Sequence, residues 1–142
     1  MRRGATFLEL VVTVAILMFV AGLGTVVSVN GYRSESFSSE HYNLVNILRR
    51  ARSEAQSNLN QSDHGIYFDA ADYLLFEGPS YASRTPDYDL RFPTTGGITV
   101  TGAAQVVFRA LDGSANTSAT IIMQSGEQSK SIHVNNEGRI EW

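Results

Sequence analysis

The sequence predicts an α+β fold in which a long N-terminal α-helix, with a membrane-spanning half and an amphipathic half, packs on an antiparallel β-sheet domain. Three observations predict it. Residues 5–29 hold 18 apolar residues in 25 positions, close to the ~20 that a membrane-spanning helix needs. Apolar residues then recur every three or four positions as far as Leu59, and short strand-like segments separated by turn residues fill the rest of the chain.

The N-terminal apolar run contains one carboxylate, at Glu9. Arg2 and Arg3 precede the run and no Lys or Arg follows until Arg33, which predicts a cytoplasmic N-terminus and an exported remainder. A cleaved signal peptide, a plain membrane anchor and a precursor cut at the cytoplasmic edge of the run all fit the apolar pattern. A carboxylate inside an apolar helix costs ~2.5–3.5 kcal/mol on insertion scales, and only the third interpretation gives it a partner.

A cut after Gly4 would supply that partner. The new N-terminal amine, on Ala5, would be largely cationic at neutral pH because its reference pKa is ~7.7–8.0. Glu9 lies four residues further on, one helical turn away. Pairing between neighbouring helices would set their axial register, since any other stagger leaves both charges unpaired. Gly4 suits a cut site because it has no side chain to block an extended backbone in a protease cleft.

At these residues the chain resembles type IV pilins and the pseudopilins of type II secretion, in which a short basic leader ends in Gly before a Phe-Thr-Leu-Ile-Glu-like segment and an apolar helix. The matching residues are Gly4 and then Ala5-Thr6-Phe7-Leu8-Glu9-Leu10. The resemblance implies a pilin-like fold, prepilin peptidase cleavage between Gly4 and Ala5, N-methylation of Ala5, and a helical filament in which Glu9 forms an assembly salt bridge with a neighbour's amine. Ala5 departs from the usual Phe, and the run lacks the proline common in major pilins.

The second half of the predicted helix is amphipathic. Its apolar face consists of Phe37, His41, Leu44, Leu48, Ala51, Ala55 and Leu59. Joined to the apolar run, it would form one helix of about 50 residues, roughly 75 Å long. The predicted organisation is a leader peptide at residues 1–4, a transmembrane and filament-core helix at 5–29, an amphipathic helix at 30–59 and an antiparallel β domain at 60–142.

The β domain is predicted from short segments between turn residues. They are residues 65–69, 73–77, 90–92, 98–101, 105–111, 120–124, 130–135 and 139–142. The first two flank Ala70-Ala71-Asp72, which predicts a hairpin. Strands at this spacing without intervening helices indicate an antiparallel sheet.

This layout is similar to the GspH/FimT-like group of pseudopilins and minor pilins. Two runs carry the similarity: Leu44-Val45-Asn46-Ile47-Leu48-Arg49-Arg50-Ala51-Arg52-Ser53-Glu54-Ala55 in the helix, and Val134-Asn135-Asn136-Glu137-Gly138-Arg139-Ile140 near the end of the chain. Members of the group often carry cysteines, and this chain has none. The similarity implies a structural role as a minor pilin or pseudopilin.

Residues with catalytic or metal-binding chemistry form no recognisable set. His41, His64 and His133 are far apart in sequence, and neither a phosphate-binding loop nor a nucleophile elbow occurs. The lack of cysteine excludes a disulfide framework and a thiolate metal site. Asp87 and Asp89 share a loop but match no calcium-binding loop. We therefore expect no enzyme activity, no cofactor and no metal.

DNA binding is the alternative that the similarity raises. Some FimT-like minor pilins bind DNA through a C-terminal Gly-Arg-x-Arg motif, whereas here Gly138-Arg139-Ile140-Glu141 has a glutamate in place of the second Arg. The net charge of −3 and the small helical cluster of Arg49, Arg50 and Arg52 also fall short of the several phosphate contacts that such binding needs. Nucleic acid is therefore not an expected partner.

The expected function is that of a structural subunit of a type IV pilus or a type II secretion pseudopilus. The chain would lie in the inner membrane with its N-terminus in the cytoplasm, and then join a periplasmic or extracellular filament. Expected partners are other pilin or pseudopilin subunits, prepilin peptidase, the inner-membrane assembly platform and, before assembly, membrane lipid. Leu10, Val14, Leu17 and Ala21 form a candidate packing stripe. A membrane-anchored binding module and a DNA-binding minor pilin of a DNA-uptake pilus are the alternatives.

Overall fold

The structure is a computed structural model that describes residues 6–69 and 71–142, without the side chains of residues 23–33. The chain divides into two compact units, Met1–Glu35 and Ser36–Trp142. In the described residues one α-helix, α1 (Phe7–Gln56), precedes eight strands: β1 (His64–Phe68), β2 (Asp72–Glu77), β3 (Leu90–Pro93), β4 (Thr99–Gly102), β5 (Gln105–Phe108), β6 (Ala119–Ser125), β7 (Gln128–Val134) and β8 (Ile140–Glu141). Short 3₁₀ turns lie at Leu59–Gln61, Tyr81–Ser83 and Pro86–Tyr88.

The predicted membrane-spanning half of the N-terminal helix, residues 5–29, is wrong. No helix of the described residues is long and apolar enough to cross a membrane. The apolar side chains that the structure describes between residues 7 and 22 are exposed.

The amphipathic half of α1 buries the face that the three-and-four spacing predicts. Its members Phe37, His41, Leu44, Leu48, Ala51 and Ala55 are all buried. Leu59 is the exception: it is 46% exposed, because α1 ends at Gln56 and Asn58 takes the left-handed conformation, with φ 53°. A left-handed residue just after the last turn is a common way to end a helix, and it carries Leu59 off the buried face.

The strands form two four-stranded antiparallel sheets, where the sequence had predicted a single β-sheet. The strand orders are β3-β2-β1-β5 and β4-β6-β7-β8. Each of the eight predicted segments overlaps one strand, and β1 pairs with β2 as expected, although Ala70 of the predicted turn lies outside the described residues. The sheets separate between β3 and β4. There β3 is an edge strand that ends at Pro93, which has no N–H to donate to a further strand.

One hydrophobic cluster joins the second half of α1 to both sheets within the unit Ser36–Trp142. Its fully buried members include Leu48 from α1, Ile66 and Phe108 from the first sheet, and Ile121 and Ile132 from the second. The opposite face of the first sheet is also covered, where Leu74, Phe76 and Val107 form a second cluster with Tyr67 and Tyr81. Because β2 is covered on both faces, the five residues from Tyr73 to Glu77 are all buried.

A group of buried polar side chains lies beside this core. Glu40 is 6% exposed and accepts a hydrogen bond at Oε2 from the Thr95 hydroxyl at 2.8 Å. Among the described residues, Oε1 of Glu40, the Tyr73 hydroxyl and both ring nitrogens of His41 have no hydrogen-bond partner of good geometry. Burial, reinforced by the Glu40 carboxylate, raises the pKa of Tyr73 well above its usual value. Burial, reinforced by the charge of Lys130, lowers the pKa of His41 below its usual 6.5.

The lowered pKa of His41 predicts that the protein loses stability on mild acidification. As the pH falls below 6.5, the usual pKa of His41, the unfolded chain binds a proton at His41 that the folded chain does not, so the free energy of unfolding falls. The contribution is complete above that pH and is lost below it. Urea unfolding at about pH 7.5 and about pH 5.5 measures the effect.

We expect His41→Gln to lose less stability than the wild type over this range. His133→Gln, at an exposed site, should lose as much as the wild type, and equal losses in all three proteins would contradict the prediction.

Candidate functional site

The first candidate site is the exposed apolar helix at residues 7–22. Every large apolar side chain described here is exposed, from 42% for Val14 to 84% for Phe7. The predicted packing stripe of Leu10, Val14, Leu17 and Ala21 is exposed too, but it does not stand out because the remaining apolar side chains are equally uncovered. A helix that is apolar all round is normally buried, and soluble monomers rarely expose contiguous apolar patches larger than a few hundred Å². Exposure of this kind is typical of a surface that associates with another apolar surface.

Glu9 is the one charged residue between Thr6 and Gly22, and it stands in the first turn of α1. Its backbone N–H donates to the hydroxyl of Thr6 at 3.3 Å. Thr6 therefore caps the helix, and Thr6 and Glu9 have the spacing of a capping box, Thr-x-x-Glu. A carboxylate in the first turn also interacts favourably with the helix dipole. Part of the reason for an acid at this position is thus local.

The other predicted site residues of this segment, Gly4 and Ala5, lie outside the described residues. Cleavage between them, methylation of Ala5 and an ion pair between its amine and Glu9 therefore stay predictions. Within the described part of the chain, the Glu9 carboxylate forms neither an ion pair nor a hydrogen bond, and its side chain is exposed. It is free to pair with a cationic group from outside the described residues.

The basic cluster of α1 is already used inside its own unit. The Arg49 guanidinium lies 4.1 Å from the ring centre of Trp142, and Arg50 pairs with Glu54 at 2.8 Å. Arg52 donates to the carbonyl oxygens of Gly113 and Glu137, at 3.3 and 3.2 Å. Arg49 and Arg52 thus contact distant parts of the unit, and Arg50 is paired within its own helix, so all three guanidinium groups already have partners.

The residues of the incomplete C-terminal Gly-Arg-x-Arg motif also make contacts within the chain. Arg139 lies 3.6 Å from the Glu141 carboxylate. Gly138 has φ +75°, and a Cβ there would collide with the carbonyl oxygen of Gly113. The glycine is thus required by the close approach of two turns, independently of any ligand.

The three histidines remain apart, as the sequence indicated. His41 is buried in α1, His64 begins β1, and His133 in β7 is within 3.2 Å of the Thr120 hydroxyl. No group of three metal-ligating side chains occurs among the described residues. Of the two loop acids considered for calcium, Asp89 is paired with Arg84 at 2.9 Å. Only Asp87 of the two is then available as a metal ligand.

The second candidate site is a cleft of about 260 Å³ within the unit Ser36–Trp142. Its walls come from the end of α1, the segment that follows it, the paired ends of β1 and β2, and the segment before β3. The polar side chains that line it include Glu54, Asn60, His64, Glu77, Asp87 and Asp89. The sequence alone does not indicate that these residues meet.

Two polar side chains of the cleft are buried, and each has one of its two polar atoms in a hydrogen bond. His64 and Glu77 stand opposite each other across the β1–β2 pair and are 3% and 7% exposed. Nδ1 of His64 lies 3.0 Å from the carbonyl oxygen of Ser62, and Oε2 of Glu77 accepts a hydrogen bond from the Asn60 amide at 2.6 Å. Among the described residues nothing bonds the second atom of either group, Nε2 of His64 or Oε1 of Glu77.

Asn60 is held in place by an unusual backbone. Asn58, Asn60 and Gln61 all have φ between 53° and 56°, in the left-handed region, which is uncommon for non-glycine residues and which Asn tolerates better than most. With this backbone, the 3₁₀ turn between α1 and β1 directs the Asn60 amide toward Glu77.

No protein-family model, characterised protein or solved structure matches the chain. The resemblance to pilin-like proteins therefore rests on the residues already quoted.

Proposed function

We propose that this chain is a structural subunit of a helical filament of the type IV pilus or type II secretion pseudopilus class. In this proposal the helix at residues 7–22 packs against the same helix of neighbouring subunits. The observation that carries the proposal is the exposure of all the large apolar side chains described there. Burying one such side chain fully contributes about 1.5–3 kcal/mol, so an assembly that covers many of them has a large driving force.

Glu9 favours helix packing in one defined axial register, as opposed to unspecific apolar association. A carboxylate buried in an apolar interface without a partner is strongly unfavourable, whereas a paired one is tolerated in only one stagger of the helices. If the chain is cut after Gly4, the amine of Ala5 supplies the cation. The capping hydrogen bond from the Glu9 N–H to Thr6 leaves the carboxylate available for it. The unit Ser36–Trp142 then contributes a folded surface with its own core.

N-terminal mass spectrometry of the protein recovered from a host with its own prepilin peptidase tests this proposal. We expect a chain that begins at Ala5 and is one methyl group heavier than its sequence. Gly4→Val should remain uncut, because its side chain obstructs the extended backbone in the protease cleft.

Two results would oppose the proposal. A wild-type chain that still begins at Met1 would remove the amine that Glu9 needs. A chain that begins after Val20 would have lost the apolar helix, and it would be a released domain with no filament core.

A further inference from the structure

The cleft beside His64 contains more negative charge than its own cations balance. Glu54 is paired with Arg50, and Asp89 with Arg84. Among the described residues no cation pairs with either Glu77 or Asp87, the other two carboxylates of the lining. The charge that the cleft leaves uncompensated is therefore negative.

Glu77 makes the strongest demand for a cation. Only 7% of Glu77 is exposed, and the one side-chain partner described for it is the neutral amide of Asn60. A buried carboxylate is stable when a cation or several hydrogen-bond donors compensate it. Glu77 lines the cleft, and among the described residues no hydrogen bond is made to its Oε1.

His64 adds a second acceptor on the same wall. When Nδ1 donates its proton to the Ser62 carbonyl, the neutral ring presents Nε2 as a bare acceptor. His64 and Glu77 are directly opposite in the β1–β2 register, so the two acceptors belong to one rigid piece of sheet. A group that satisfies both must carry several N–H donors and a positive charge.

The size of the cleft limits what can carry that group. Pockets for drug-sized ligands are about 300–1,000 Å³, and this one is about 260 Å³. It has room for the end of one long side chain. Tyr88 lines the same cleft with its side chain largely exposed, and an aromatic face attracts a cation placed over it.

We propose that this cleft binds the cationic end of a lysine or arginine side chain from a partner protein. Glu77 and His64 accept its N–H groups, Asp87 balances its charge, and the Asn60 amide holds the Glu77 carboxylate in position. The proposal is independent of the filament proposal, because it concerns the unit Ser36–Trp142 and does not involve Glu9 or the apolar helix.

Three small amides serve as probes: N-acetyl-arginine methylamide, N-acetyl-lysine methylamide and the neutral, isosteric N-acetyl-citrulline methylamide. Each is titrated into the full-length chain, kept in solution with a mild detergent, while NMR follows the side-chain signals of Asn60 and His64. We expect saturable shifts with one or both cationic probes and none with citrulline. Tighter binding of the arginine probe would identify a guanidinium ligand, and tighter binding of the lysine probe would identify an ammonium ligand.

The decisive variant is Glu77→Gln, which keeps the shape of the side chain and an acceptor for Asn60 but removes the charge. We expect it to weaken binding about tenfold, since hydrogen bonds to a charged acceptor are markedly stronger than those to a neutral one. Glu127→Gln, at an exposed turn outside the cleft, should bind as the wild type does.

A second variant keeps the proposal testable if Glu77→Gln does not fold. Asp87→Asn changes a side chain at an exposed position and should weaken binding several-fold. The proposal is overturned if neither cationic probe shifts the Asn60 and His64 signals, if citrulline binds as well as arginine, or if a folded Glu77→Gln and Asp87→Asn both bind like the wild type.

Discussion

Glu9→Gln is expected to reduce incorporation of this subunit into filaments at least tenfold. The substitution removes the charge that would meet a neighbour's N-terminal amine, so the amine is buried without compensation. Leaving one partner of a buried ion pair alone typically costs about 3–5 kcal/mol. Incorporation can be measured as the fraction of tagged subunit recovered in sheared filaments, relative to the total in the cell.

Glutamine separates the two roles that the structure gives this position. A glutamine three residues after the cap serves in a capping box as glutamate does, and the N–H bond to Thr6 is a backbone interaction. Glu9→Gln therefore preserves the start of α1, whereas Glu9→Ala removes both the charge and the box residue. Glu35→Gln, an exposed carboxylate further along the same helix, is the matched control and should assemble normally. If Glu9→Gln assembled normally while Glu9→Ala did not, capping alone would explain the residue and the pairing proposal would fail.

Gly138→Ala is expected to destabilise the unit Ser36–Trp142 by about 3 kcal/mol, the combined effect of a left-handed alanine and of overpacking. Gly138 has φ +75°, and a Cβ there would overlap the Gly113 carbonyl oxygen and lie 3.1 Å from Nε of Arg52. Arg52 donates to that same carbonyl. The added methyl group therefore forces apart two turns and the α1 side chain that joins them. Denaturant unfolding measures the loss.

Gly126→Ala is the matched control for this change. Gly126 also has a left-handed φ, +58°, but nothing lies within 4 Å of the position of its missing Cβ. It should lose only the conformational part, about 1–2 kcal/mol. Equal losses in the two variants would show that the turn at Gly138 can open without penalty, and that the contact with Gly113 does not stabilise the fold.

Gly138 also shows how a motif can mislead. Gly138 and Arg139 match the first half of a nucleic-acid-binding signature in sequence. In the folded chain the glycine is required by the Gly113 carbonyl and the arginine is paired with Glu141. A match of two residues in a turn has a structural explanation here that needs no ligand.

The positions of the strands and the buried face of α1 were predictable because they depend on local periodicity. Side chains three and four apart share a helix face, and those two apart share a strand face. Leu44, Leu48 and Ala51 are fully buried as predicted. Leu59 is not, because its position depends on where the helix stops, and the left-handed Asn58 ends it earlier than the apolar pattern does.

Local periodicity could not predict the register of the first hairpin, β1–β2. Taken symmetrically about a three-residue connection, the predicted segments would set Gly65 against Glu77. The structure pairs Gly65 with Phe76 and His64 with Glu77. A slip of one residue exchanges the two faces of a strand, so the pair of buried acceptors in the cleft depended on a detail that local pattern does not determine.

By itself, the sequence determined the α+β class, the strand segments, the buried face of α1 and the isolated carboxylate at Glu9, because each follows from short-range spacing and composition. Only the tertiary structure decided that the strands form two sheets, that His64 and Glu77 share a cleft, and that the arginines of α1 are engaged within the fold. It also replaced the predicted membrane-spanning half with an exposed helix at residues 7–22. These outcomes depend on which distant segments meet, and that choice is made by the packing of the whole chain.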